Sequence, residues 1–225
     1  MNDRLLSWDG CINVRDLGGL RTCDGRMTRF GAVVRSDTPA RLTETGWSAL
    51  YGYGIRTIIS LGTDGLTEDE LNITPQYPDI VTVQVAIEDI TDAEFAQLWA
   101  NTNLWGTPLY YKDALLRWPE RHAAAIVAIA RARPGGVLFH CIRGHDRTGI
   151  IALLLLSLVG VTPDEMIADY ELSPDPRRDE LLARENSSVR EAMLSALEGL
   201  DIDSYLQKGG VSQGDLAAVR RSLLG

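Results

Sequence analysis

Ten residues, His140-Cys141-Ile142-Arg143-Gly144-His145-Asp146-Arg147-Thr148-Gly149, lie between a short apolar run, Val137-Leu138-Phe139, and a long one, Ile150 to Val161. The short run suits a buried strand and the long run a buried helix. The order predicts strand, tight loop, helix, with Cys141 at the strand end and Arg147 at the helix start. Such a loop turns successive backbone N–H groups, together with a helix N-terminus, toward one spot. That spot suits a tetrahedral oxyanion, with the Cys141 sulfur beneath it. The same N–H groups and Arg147 favour thiolate over thiol. A thiolate set against a bound phosphate is a nucleophile for phosphoryl transfer.

The residue types fit that chemistry one by one. Cys141 is the expected nucleophile, giving a phosphocysteine that water then hydrolyses. Arg147 offers a planar fork for two phosphoryl oxygens, which a lysine cannot reproduce. The backbone N–H groups of Ile142, Arg143, Gly144, His145, Asp146, Arg147 and Thr148 are the expected phosphate donors. Gly144 permits the sharp turn. His140 is expected to orient the loop through hydrogen bonds and not to act as a base. The Cys and His residues lack the paired spacing of a zinc site, so no metal and no cofactor is expected.

The remaining chain alternates strands with helices, which predicts an α/β fold with a mostly parallel sheet covered on both faces. Gly18-Gly19 and Asp24-Gly25 give residues 12–35 hairpin character. Thr43 is placed to cap a helix reaching about Tyr51, and Ile55 to Ser60 reads as a parallel strand. Ile80 to Ile87 alternates as a strand. Residues 91–118 hold Phe95, Trp99, Trp105, Tyr110, Tyr111 and Trp118 in two helical pieces. They read either as a lid over the pocket or as core helices. Pro119 to Arg131 predicts a helix, as does the stretch from Arg147 to Val159, which Gly160 ends. Thr162-Pro163-Asp164-Glu165 opens another. Ser173-Pro174-Asp175-Pro176 is a break, after which helices are expected near 177–199 and 212–224.

The length of 225 residues suits one domain spanning 1–225, with 177–225 as a helical C-terminal extension. A net charge of −9 argues against nucleic acid as a partner. Three cysteines at irregular spacing give no disulfide framework. A cysteine that must stay reduced fits a cytoplasmic setting. The N-terminal residues from Met1 contain no apolar stretch of signal-peptide length, although export by another route stays open. The run from Ile150 to Val161 is too short to span a bilayer, so no stable membrane insertion is expected.

The full loop string resembles the bacterial tyrosine-phosphatase-like family of the cysteine phosphatase superfamily, whose members act on phosphotyrosine and phosphoinositides. The resemblance extends to Asn13-Val14-Arg15-Asp16-Leu17-Gly18-Gly19, to Val34-Arg35-Ser36-Asp37 with Leu42-Thr43, and to Gly54-Ile55-Arg56-Thr57-Ile58-Ile59. Asp169-Tyr170 matches a pair on the helix beyond the loop, so residues 11 to 173 are covered. It implies a cysteine-phosphatase fold and an activity without cofactor. It also implies that the Thr148 hydroxyl supports the thiolate, against the plainer role of helix N-terminal hydrogen bonding. Arg15, Asp16 and Arg35 match family positions, which implies a structural role such as pairing beneath the loop.

Two positions depart from the family pattern. His145 replaces a usual lysine, which weakens the case for polyanionic substrates, although Arg143 keeps one cation on the loop. Ser60 replaces an aspartate that is a general-acid candidate. Asp146 then becomes the expected acid, with Asp64, Asp89 and Asp92 as rivals on neighbouring loops. The leading expectation is a metal-independent phosphomonoester hydrolase of the phosphotyrosine type, taking a phosphorylated protein or a small phosphoester. The alternatives are a phosphoinositide or inositol-phosphate phosphatase, and a phosphate-binding pseudophosphatase.

Overall fold

A computed structural model of the protein describes residues 4–173 and 175–225; residues 1–3, and Pro174 in the expected break, lie outside the described residues. Five strands form one sheet: β1 (Arg15–Asp16), β2 (Val33–Ser36), β3 (Ile55–Asp64), β4 (Val81–Asp89) and β5 (Gly136–His140). Their order is β1-β2-β5-β3-β4. Only β1 runs antiparallel, so the ends of β2, β3, β4 and β5 share one edge. β5 occupies the middle, and its last residue, His140, is flanked by Ser36 and Ser60. Ligands of open parallel sheets bind at this carboxyl edge.

Period-two alternation sorts side chains to the two faces. Val33, Ile59, Val137 and Phe139 join the larger core, whereas Val34, Ile58 and Leu138 join a smaller one with Trp8, Trp47 and Leu50. Helix α1 (Glu44–Gly52) serves the smaller core, and the Thr43 side chain caps it by accepting from the Gly46 N–H. The larger core surrounds the helix Asp146–Leu158, whose residues from Arg147 to Leu156 are all buried. Gly160 follows that helix at φ +73°, the left-handed turn that ends it.

Residues 91–118 form α2 (Ala93–Phe95), which continues as a π-helical turn over Ala96–Ala100, then a 3₁₀ turn at Pro108–Tyr110 and α3 (Tyr111–Arg117). Helices α4 (Pro119–Ala130), α5 (Asp146–Leu158) and α6 (Pro163–Glu171) follow the expected bounds closely. The tail differs. The expected helix over 177–199 is two, α7 (Pro176–Arg184) and α8 (Val189–Leu197). Asn186 at φ +51° breaks it, and Ser188 caps α8. A further helix, α9 (Ile202–Lys208), precedes α10 (Gln213–Leu224), which opens on a reciprocal capping box between Ser212 and Asp215. Leu206, Leu216, Val219 and Leu223 of these last two helices are buried in the larger core. Among the described residues no helix is long and apolar enough to cross a membrane.

Candidate active site

The loop after β5 is held by its carbonyls. The Ile142 carbonyl accepts from the Thr38 N–H at 3.1 Å and the His145 carbonyl from the Gly149 N–H at 2.7 Å. The Arg143 carbonyl accepts from Asn13 Nδ2 at 2.9 Å, the Gly144 carbonyl from Arg35 Nη2 at 2.9 Å, and the Asp146 carbonyl from the Tyr111 hydroxyl at 2.9 Å. Five consecutive carbonyls are therefore tied outward. The N–H groups of residues 142–148 have no acceptor among the described residues. That division makes the loop a nest of donors, a shape suited to a tetrahedral anion. Two glycines make it possible. Gly144 sits at φ +70°, where a Cβ would lie 2.5 Å from the Ser36 carbonyl oxygen. A Cβ on Gly149 would lie 2.1 Å from the Tyr111 hydroxyl that holds the loop.

Cys141, the residue that opens this loop after β5, is buried. Its carbonyl accepts from His140 Nδ1 at 3.1 Å. A carbonyl can only accept, so Nδ1 carries the proton and Nε2, 2.8 Å from Ser60 Oγ, accepts from that hydroxyl. Burial lowers the His140 pKa to about 4, opposed by its bond to Cys141, so the ring is neutral at physiological pH. The loop-orienting role expected of His140 thus has a partner that sequence reasoning missed. Ser60 stands where a family aspartate was expected and turns inward to fix the imidazole. The Thr148 hydroxyl is buried with no hydrogen-bond partner, so neither of its two expected bonds is formed.

Arg147 is held by a residue the sequence did not single out. Its Nη1 and Nη2 donate to Glu68 Oε2 and Oε1, both at 2.6 Å, and Nη1 also donates to the Leu61 carbonyl at 2.8 Å. Glu68 lies 79 positions earlier in the chain, in a loop without periodic pattern. The acidic run Glu68-Asp69-Glu70 was the only local cue.

Asp146 is the first residue of α5, and its side chain is 15% exposed. One oxygen, Oδ2, accepts from Arg143 at 3.2 Å, while Oδ1 is buried and unpartnered. Burial raises the Asp146 pKa, with Arg143 and Arg147 pulling it back. Arg143 reaches Asp175 Oδ2 as well, at 2.9 Å, so its charge faces two carboxylates and is not a free cation on the loop. His145 lies 3.5 Å from the same Asp175 oxygen. Burial, then Arg143, lowers its pKa to about 4, so its ring is neutral under mildly acidic as well as neutral conditions. Asp175, the N-cap of α7, was not anticipated as a partner for these loop residues. The rival acids are engaged elsewhere. Asp64 and Asp89 both pair with Arg121, and Asp92 caps α2 and pairs with Arg117.

Beneath the loop lies a buried cluster. Asp169 accepts from Arg15 Nε at 3.1 Å and from Arg35 Nη1 at 2.7 Å, and Arg4 pairs with it too. Burial would raise the Asp169 pKa, but Arg15, Arg35 and Arg4 outweigh it and hold the carboxyl well below the usual range. Two chains run upward from it. One goes through Arg35 to the Gly144 carbonyl, the other through Arg15 and Asn13 to the Arg143 carbonyl. Arg15 and Arg35 match their expected place. Asp16 has its structural role elsewhere: it braces the hairpin by accepting from the N–H groups of Gly18 and Gly31 and from the Tyr53 hydroxyl.

Glu88 joins the 91–118 segment to the sheet. A register shift between Gly62 and Thr63 of β3, opposite Ala86 and Glu88, aims the Glu88 side chain inward. It is fully buried and accepts from the Tyr110 hydroxyl at 2.7 Å and from Trp105 Nε1 at 3.0 Å, with Thr63 Oγ1 3.5 Å away. Burial pushes its pKa up to about 7, against the pull of Arg147, Tyr110 and Trp105, with Asp146 adding to the rise. A carboxyl raised in the folded state stabilises fully below its unfolded pKa and loses that contribution as pH climbs through the folded value. Glu88→Gln should therefore gain stability relative to the wild type by about 2 kcal/mol between pH 5 and pH 8. Thermal midpoints of both chains across that range test this; a constant difference would show that Glu88 is ionised throughout.

A model of the tyrosine phosphatase family matches residues 6–225. A Cupriavidus necator protein bearing the name of a tyrosine-protein phosphatase is 30% identical over 200 residues, covering 88% of this chain and 70% of that one. The triple specificity protein phosphatase PtpB of Mycobacterium tuberculosis is 26% identical over 276 residues, covering 96% and 98%. A tyrosine-protein phosphatase of Nostoc commune is 32% identical over 161 residues, covering 67% and 51%. A match spanning nearly the whole chain, on a sheet edge that carries a cysteine, an arginine and a nest of amide donors, means that this protein is a phosphatase belonging to the tyrosine phosphatase family.

Proposed function

We propose that the protein is a metal-independent phosphomonoester hydrolase of the phosphotyrosine type that works through a phosphocysteine intermediate. The observation that carries this reading is the loop around Cys141, with five carbonyls tied outward and the amide donors of residues 142–148 left for an anion. The amides and Arg147 receive the phosphoryl oxygens. The Cys141 thiolate attacks phosphorus as the P–O bond to the leaving group breaks. Asp146 gives its proton to the departing oxygen, and its buried, unpartnered Oδ1 is the atom suited to that task. Water then attacks the phosphocysteine, and Asp146, now a carboxylate, takes the water proton. The P–S bond breaks, releasing phosphate and restoring the thiolate.

The acid proposed here answers the loss of the family aspartate at Ser60, and so favours a working enzyme over a phosphate-binding relic. The substrate class follows from charge. Arg143 is matched by Asp175, and the His145 ring is neutral, so the rim offers little to a polyanionic headgroup. The testing experiment is hydrolysis of an aryl phosphate, phosphotyrosine peptides and phosphoinositides with a chelator present. Efficient turnover of the first two supports the reading; turnover of phosphoinositides alone, or only after magnesium is restored, contradicts it. Asp146→Asn should slow phosphotyrosine and alkyl esters by about 10²–10⁴-fold and activated aryl esters less, because an acid matters most to a poor leaving group. Equal slowing of all esters would make Asp146 a scaffold.

A further inference from the structure

We propose that Glu68 is a positioning residue for Arg147: it holds the outer edge of the guanidinium, so that the Nε–Nη2 edge is the one presented to the phosphoryl group. The inference rests on the reading of Arg147 as the phosphate clamp. A guanidinium carries five N–H bonds. Nη1 spends both of its own, on the Leu61 carbonyl and on Glu68 Oε2, and Nη2 spends one on Glu68 Oε1. Two remain, one on Nε and one on Nη2, and Nε has no acceptor among the described residues. These two point the same way along the other edge, the arrangement that meets two oxygens of one phosphoryl group.

A carboxylate in an arginine fork has a competing meaning, that of a substrate mimic which must leave before phosphate enters. The geometry speaks for positioning. Glu68 takes the end of the guanidinium, and the Leu61 carbonyl on β3 shares Nη1, so together they fix the group and leave a whole fork open. The pair is also sheltered, at 10% exposure for the Arg147 side chain and 14% for Glu68, which strengthens the contact relative to a surface ion pair. Held this way, the fork keeps its orientation while the phosphoryl group flattens, so the contribution belongs to the transition state more than to the bound ester.

The test combines steady-state kinetics on an aryl phosphate with calorimetric titration of inorganic phosphate and of vanadate, which adopts the five-coordinate geometry of the transition state. Glu68→Ala should lower kcat about 10²-fold while KM moves less than about threefold. Vanadate affinity should fall in step with kcat, phosphate affinity should hold, and the thermal midpoint should stay in place. Glu68→Gln, which keeps one acceptor oxygen, should fall between. In an Arg147→Ala background the Glu68→Ala change should have no further effect on vanadate affinity. A rise in kcat or tighter phosphate binding in Glu68→Ala overturns the proposal in favour of a competing carboxylate. No change in either quantity, or an equal loss in the Arg147→Ala background, also overturns it. Should the wild type hydrolyse no ester, the hydrolase reading fails while the vanadate titrations still decide the role of Glu68; absence of vanadate binding by the wild type overturns both.

Discussion

Cys141→Ser is expected to abolish hydrolysis of every phosphoester while leaving the fold and the affinity for phosphate intact. Turnover should fall below about a hundredth of the wild-type rate, a small remnant of the 10⁶-fold or larger accelerations that enzymes provide. A serine hydroxyl needs a base to attack phosphorus, and the adjacent imidazole, His140, has both nitrogens committed, one to the Cys141 carbonyl and one to Ser60. Nothing in the loop's shape depends on the sulfur. Its carbonyls are held by Thr38, Asn13, Arg35, Gly149 and Tyr111, so the amide nest should survive the substitution. Initial rates on an aryl phosphate, together with calorimetric phosphate binding and a thermal midpoint, measure all three properties. Retention of more than that hundredth would remove Cys141 as the nucleophile.

The largest effect on stability is expected from Asp169→Asn. Asp169 is buried against Arg4, Arg15 and Arg35, and the substitution leaves positive charges together without their carboxylate. Removing one partner from a buried ionic cluster costs about 3–5 kcal/mol, a large part of the ~5–15 kcal/mol that holds a domain together. The thermal midpoint should drop by roughly 10 °C. The dependence on pH gives a second signature. Because its folded pKa is depressed, Asp169 contributes stability that is present above its unfolded pKa near 4 and is lost as pH falls below it. The gap between wild type and Asp169→Asn should therefore narrow in acid. The variant should also bind phosphate more weakly, because Arg35 and Arg15 carry the cluster's order to the Gly144 and Arg143 carbonyls. Stability within about 1 kcal/mol of wild type would show that the arginines find other partners.

What the sequence announced and what it hid follow one physical distinction. The strand ending at His140, the loop and the helix that follows were legible because apolar runs, a glycine and a helix start are local signals. The cap at Thr43 and the stop at Gly160 were legible for the same reason. The hidden features are pairings across long stretches of chain. Glu68 meets Arg147, Asp175 meets Arg143, and Ser60 meets His140, and no periodicity links the members of any pair. Ser60 was visible as a departure from the family pattern, but its new task, holding the imidazole, needed the neighbouring strands to be seen side by side. The inward turn of Glu88 depends on a register shift between β3 and β4, which the alternation of residues 80–87 alone does not reveal. In the tail, the break at Asn186 lacked the glycine or proline that usually marks one, so two helices read as one.

The central claim is that phosphate passes through Cys141. The most direct measurement is to mix the wild-type protein with an aryl phosphate, quench in acid during turnover, and locate any phosphoryl adduct by mass spectrometry of the resulting peptides. Acid halts hydrolysis of the adduct while leaving a phosphorus–sulfur bond long enough to be found. The account predicts one phosphoryl group on the Cys141 peptide, retained for longer in Asp146→Asn, which lacks the base for the second step, and absent from Cys141→Ser. An unmodified Cys141 during steady turnover, or a phosphoryl group carried on another residue, would contradict it.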